Sequence, residues 1–202
     1  MTSMILHDSR LEGRTPRGYD YTFVVDGGTP LREAIGMVHA NATMRRLDVL
    51  HVFCHGIEIP ADMARGLSTN VPHGGFGLVL CGENLDLRNV SLTHRWRGLV
   101  GQIVIFACAT AAVGPGNRMT RGDGQRFCAE LAAWTGAEVI AGRDVQRYTR
   151  GAETFWTRIG FAQTSPIDFG GWEGPVYRFR PGDTRGTEFR PRPMNMGAPG
   201  VI

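Results

Sequence analysis

A histidine and a cysteine occupy matching places in this chain. His55 falls at the end of LDVLHVFCHG, Leu47 to Gly56, and Cys108 near the end of QIVIFACATA, Gln102 to Ala111. Both runs are short and apolar and read as buried strands. A thiol attacks as its thiolate, and a nearby imidazole favours that form and can carry protons to and from the reacting groups. Neither residue is informative alone, since a lone strand-end His is usually a polar terminus and a lone Cys in an apolar strand is usually packing. Together, in matched contexts, they read as a nucleophile and base, provided that the two strands are neighbours. Gly56 follows the histidine, and Ala107 and Ala109 flank the cysteine. A glycine there lets its backbone N–H approach a substrate carbonyl and help hold a developing oxyanion.

The elements that must position this pair alternate. YTFVV (Tyr21 to Val25) predicts a strand; Thr29 and Pro30 then suit a helix start, followed by Leu31, Ile35, Val38 and Ala42 on one helical face. The strand Leu47 to Cys54 comes next, and strand, helix and strand in this length suggest a parallel pair with a right-handed crossover. A long loop from Ile57 to Gly77 leads to FGLVLCGENLDL, a hairpin turning at Gly82 to Asn84. A helix around Val90 to Leu99, the strand Ile103 to Ala107 and a loop to Gly124 follow. Asp123 is placed to cap a helix whose apolar face is Phe127, Leu131 and Trp134 and which ends at Gly136. AEVIAG and VYRFR are the last strands, and Arg150 to Gly171 carries no readable period. This alternation predicts an α/β protein, a three-layer α/β/α sandwich around a mostly parallel sheet, whose ligands bind beyond the carboxyl ends of the strands. His55 and Cys108 both stand at that end.

The bounds agree with one soluble domain. The chain has 202 residues, 42% hydrophobic and 20% charged, with a net charge of +3. Its arginines are scattered, so the charge gives no footprint for nucleic acid. No run approaches the ~18 apolar residues of a membrane span, and no segment resembles a secretion signal, which predicts a cytoplasmic protein. Cys54, Cys81, Cys108 and Cys128 lack CxxC spacing and read as reduced thiols. Residues 1–18 and 181–202 are expected to be flexible tails, leaving 19–180 as the folded domain.

The strand ending in His-Gly and the second ending in Ala-Cys resemble the signature of caspase-like cysteine peptidases. GDGQRFCAELAAWTGAEVIAGRD is similar to the CHAT-like and gingipain-like bacterial branch of that group, and the likeness runs from about Tyr21 to Asp144. The 53 residues separating His55 from Cys108 also suit the family. The resemblance implies a caspase-like fold and cysteine endopeptidase activity on a protein or peptide substrate. It implies His55 as catalytic histidine, Cys108 as nucleophile, and the backbone of Gly56 and Cys108 as oxyanion donors. Two positions depart from the pattern: Cys54 precedes His55 where many relatives carry Ser or Gly, and Ala-Thr-Ala follows Cys108 instead of Gln-Gly or Glu-Ser-Gly.

Other readings stand beside this one. A domain with the same fold and no activity would be an interaction module. A metal site from Cys54, His55, His73, Cys81 and Cys108 is conceivable by residue type, but no set has zinc-ligand spacing, so the chemistry is expected to need no metal or cofactor. Substrate polarity hangs on residues after strand ends. Asp26 would favour a basic residue before the cleaved bond and Arg143 an acidic one, with Asp144 beside it; Asp26 next to two glycines also suits a plain turn. Basic is the expected preference.

Overall fold

The structure, a computed structural model, describes residues 1–57, 74–149 and 166–191. Most of the loop expected at 57–77, most of the unassigned stretch 150–171, and residues 192–202 of the expected C-terminal tail lie outside these. Among the described residues there are nine strands: β1 (Ser3–Asp8), β2 (Tyr21–Val25), β3 (Leu47–Phe53), β4 (His55–Gly56), β5 (Leu78–Val79), β6 (Val100–Phe106), β7 (Glu138–Gly142), β8 (Val176–Phe179) and β9 (Thr187–Phe189). The described helices are α1 (Leu31–Met44), a 3₁₀ helix (Val90–Trp96) and α2 (Gly124–Thr135). Seven strands form one sheet in the order β2-β1-β3-β6-β7-β8-β9. Its first five strands are parallel, and β8 and β9 are antiparallel. The protein is therefore α/β with a mostly parallel sheet, as the alternation of elements predicted.

Two expectations fail at the ends. Residues 1–18 are not a tail: SMILHD is β1, every residue of it is buried, and it sits between β2 and β3. Those two are thus not neighbours, although α1 joins them. Six residues with Ser, His and Asp among them show no apolar alternation, because a strand buried on both faces and paired on both edges has none to show. At the other end, Thr187–Phe189 forms β9 against β8, so the tail does not begin at 181.

From β2 to β3, β3 to β6 and β6 to β7 the chain steps across the sheet in one direction. Right-handed crossovers then place the described intervening helices on one face. Leu31, Ile35 and Val38 of α1, Trp96 of the 3₁₀ helix and Phe127 and Leu131 of α2 join one core cluster with Leu50, Val52, Ile103 and Ile105. The opposite face gathers Ile5, Phe53, Val104, Phe106 and Ile140 under Leu11, Ile167 and Phe169. Among the described residues its cover is irregular chain and contains no helix.

Local signals set some helix ends and distant ones set others. Asp123 accepts the Arg126 N–H, and Gly136 closes α2 with φ +70°. Trp134, expected on the apolar face of α2, is 40% exposed. Thr29 does not cap α1; Glu83, 52 residues on, accepts the Leu31 N–H at 2.7 Å.

His51 on β3 is buried between Tyr19 (centroids 5.2 Å) and Phe106 (5.9 Å), and no described group bonds its Nδ1. Burial lowers its pKa to about 4. The unfolded chain, with a histidine near 6.5, binds more protons below that pH. Stability is therefore complete above pH 6.5 and falls as pH drops towards 4, by about 3 kcal/mol from this residue. Urea unfolding at pH 7 and pH 4.5 should show His51→Phe losing less stability on acidification than the wild type. Equal losses would remove His51 as the cause.

Candidate functional site

The carboxyl ends of β1, β3 and β6 lie side by side. His7 is level with Phe53, and Phe53 with Phe106. From β1 the chain turns towards β2, and from β3 it turns the other way, so the strand order reverses between β1 and β3. Ligands of open parallel sheets bind in the crevice that such a reversal leaves beyond the strand ends.

The chain leaves β3 with the Cys54 N–H bonded to the Phe106 carbonyl at 3.3 Å. It then forms β4, in which His55 and Gly56 pair antiparallel with Val79 and Leu78 of β5. This small ribbon carries the histidine out of the main sheet and fixes its backbone. His55 Nε2 lies 3.1 Å from the carbonyl oxygen of Arg10. A carbonyl only accepts, so in the neutral ring Nε2 carries the hydrogen and Nδ1 the lone pair.

Cys108 stands two residues beyond the end of β6, at a sharp turn. Ala109, next in the chain, has φ +50°. A residue with a Cβ costs roughly 1–2 kcal/mol in that region. The turn is held by backbone bonds from Ala109 N–H to Asp144 (3.0 Å) and Ala111 N–H to Gly142 (2.9 Å). The half-buried Cys108 thiol donates to the Gln146 carbonyl at 3.5 Å. Gln146, itself buried, ties this wall together by donating to the Asp144 and Glu173 carbonyls and accepting the Glu173 N–H.

The two strand ends meet at Gly56. A Cβ built there would overlap the Cys108 carbonyl oxygen and lie 2.9 Å from its carbonyl carbon and 3.3 Å from its nitrogen. Only a glycine lets the backbone after His55 pack against that of Cys108. The backbones of Gly56 and Cys108 are thus in contact, with His55 the residue before that contact.

Two further residues in the crevice escaped the sequence reading. Asp8, at the end of β1, is completely buried, and Arg10 makes a forked ion pair with it through Nε (2.8 Å) and Nη2 (2.7 Å). Burial alone would raise the Asp8 pKa, but the bonds from Arg10 and the Cys81 N–H outweigh it and hold the carboxyl below its ordinary value. A charged residue closing the apolar MIL was the available signal. It was lost because the segment did not read as a strand.

The expected substrate-binding residues are not joined to the pair through their side chains. Asp26 follows β2, which is separated from β3 by β1, and it is exposed. Its Oδ1 accepts from the Gly28 N–H (2.9 Å), the Thr29 N–H (3.0 Å) and the Thr29 hydroxyl (3.0 Å), so its carboxylate closes its own turn. Those bonds, the Thr29 hydroxyl first, lower its pKa. Asp144 touches the site through its carbonyl, while its carboxylate accepts from Arg143 Nε at 2.8 Å, so these two charges compensate each other.

The remaining cysteines are inert by burial. Cys54, Cys81 and Cys128 are buried, and their thiol pKa values are raised by it, that of Cys81 to about 12. His73 lies outside the described residues, and among those described no three His, Cys, Asp or Glu side chains are grouped to hold a metal.

Gly56→Ala should cost at least about 1–3 kcal/mol by forcing the two backbones apart. Ala109→Gly should stay within about 1 kcal/mol of wild type, because relief of the left-handed turn offsets the entropy of glycine. Urea denaturation of both variants checks this, and a Gly56→Ala protein as stable as Ala109→Gly would contradict the close approach. Compared with known proteins, the chain matches no family model, no curated protein and no solved structure.

Proposed function

We propose that this protein is a caspase-like cysteine endopeptidase. The carrying observation is the contact of the Gly56 and Cys108 backbones at the ends of adjacent parallel strands, which supports a shared crevice for the His55 ring and the half-buried Cys108 thiol. In the reaction, His55 Nδ1 takes the Cys108 proton and the thiolate attacks the peptide carbonyl. The backbone N–H groups of Gly56 and Cys108 hold the oxyanion. As the intermediate collapses, the C–N bond breaks, the amine leaves with the proton from His55, and a thioester remains. His55 then deprotonates a water that attacks the thioester, and the proton returns to the departing thiolate. The Arg10 carbonyl supports this assignment by reserving Nε2 for a hydrogen and leaving Nδ1 basic.

The three-layer, caspase-like form of the fold belongs to the same proposal. It is supported by the mostly parallel sheet and by a crevice at the carboxyl ends of its strands. The substrate is a protein or peptide. The expected preference for a basic residue before the cut loses its carrier, since the Asp26 carboxylate is engaged by its own turn on an edge strand.

One observation favours the second reading, a caspase-like interaction module without activity: the Cys108 thiol donates to the Gln146 carbonyl, a partner that stabilises the thiol over the thiolate. Iodoacetamide labelling against pH separates the two. Labelling of Cys108 at or below neutral pH supports the enzyme, whereas labelling only near the free-thiol pKa of about 8.5 supports the module. On a peptide library, Cys108→Ala and His55→Ala should each lower turnover by roughly 10³-fold or more. Undiminished cleavage by either variant would sink the peptidase assignment.

A further inference from the structure

A fully buried carboxylate on a central strand is costly unless every lone pair is engaged. Asp8 meets that condition within one local knot. Its Oδ1 accepts from the Arg10 N–H (3.1 Å) and Nε (2.8 Å), and its Oδ2 accepts from Arg10 Nη2 (2.7 Å) and the Cys81 N–H (2.8 Å). A carboxylate offers about four acceptor positions, and these four donors fill them. Asp8 therefore has nothing left for a substrate, and it is 0% exposed.

The knot instead fixes one peptide group. Arg10 lies just past β1, in the connection to β2, between a bond across to β2 from Ser9 N–H to the Val25 carbonyl (2.8 Å) and a turn bond from Leu11 N–H to the Asp8 carbonyl (2.9 Å). Both its backbone N–H and its guanidinium end on the same carboxylate, and Nη2 also reaches the Cys81 carbonyl at 2.8 Å. Cys81 itself has φ +60°, and the knot grips its N–H and its carbonyl together. With side chain and amide both pinned, the Arg10 carbonyl has a set direction, and that carbonyl is the one His55 Nε2 meets at 3.1 Å.

We infer that Asp8 is a positioning residue for His55, acting through Arg10: the carboxylate orients the Arg10 peptide group so that its carbonyl holds the imidazole in one tautomer and one orientation. The catalytic meaning of this rests on the peptidase reading above, but the positioning itself does not. A lysine at position 10 could not reproduce it, because a single ammonium lacks the planar fork that engages both carboxylate oxygens and the Cys81 carbonyl.

The test uses the full chain with Asp8→Asn and Arg10→Lys, the second because it keeps a cation and a carbonyl at position 10 if the buried Asp8→Asn change prevents folding. Nitrogen-15 NMR of the imidazole reads the tautomer of His55 in the folded protein. One tautomer is expected in the wild type and averaged ring nitrogens in the variants. Turnover of a peptide substrate should fall roughly 10²-fold in kcat with KM within about threefold, the pattern of a misplaced base rather than a lost binding contact. A folded variant that keeps the wild-type tautomer and a kcat within about threefold overturns the inference. If the wild type cleaves nothing, the peptidase reading fails and the NMR comparison alone decides: loosening of His55 upholds the positioning role, and an unchanged ring overturns it.

Discussion

The site depends on one constraint, the parallel pairing of β3 on both of its edges. With β1 on one side and β6 on the other, three strands end level, and each must hand its chain to a connection at the same edge of the sheet. Asp8, His55 and Cys108 are residues of those three exits. A shift of one residue in either pairing would turn a side chain to the opposite face and separate the Gly56 and Cys108 backbones. The reversal of strand order between β1 and β3 then supplies the opening that such level ends would otherwise lack.

Within that opening the imidazole and the thiol each meet a backbone carbonyl. Arg10 presents one to the imidazole and Gln146 one to the thiol, while Asp144 and Gly142 hold the turn that follows the cysteine. Carbonyls can be aimed only by fixing the chain that carries them, which is why the supporting residues have polar side chains spent on backbone: Gln146 on Asp144 and Glu173, and Arg10 on Asp8 and Cys81. The outcome is a site in which loop geometry matters more than the identity of exposed neighbours.

The two faces of the sheet are filled differently, and the second reaches the site. On one face the helices bring Leu31, Ile35, Val38 and Leu131 with the rings of Trp96 and Phe127 against Leu, Ile and Val from the strands. The irregular cover of the other face meets large flat rings. Phe53 and Phe106 pack edge to face at 4.8 Å, Phe169 lies against both, and Trp172 stacks on Phe106 at 5.0 Å. Aromatic pairs of this geometry add stabilisation beyond their buried area. Phe106 is two residues before Cys108, and Trp172 precedes the Glu173 that bonds Gln146, so this cluster anchors the wall on which the thiol rests.

The sequence by itself determined the features whose causes are local. The apolar runs of β3 and β6 announced themselves within seven residues each, and the positions of His55 and Cys108 just past their ends were legible with them. Asp123 and Gly136 marked the ends of α2 because a cap is made within one turn. Tertiary structure decided whatever needed a distant partner. SMILHD is a strand only because β2 and β3 flank it, and its insertion separates the strand before Asp26 from the strand of His55, beside which Asp26 was expected to meet the substrate. Glu83 caps α1 from a turn 52 residues on, where Thr29 was the local candidate. The Asp8 carboxylate, the Arg10 carbonyl and the His55 ring belong to segments that share no periodicity. Their meeting is a product of strand order, which pairwise register creates and no window of sequence contains.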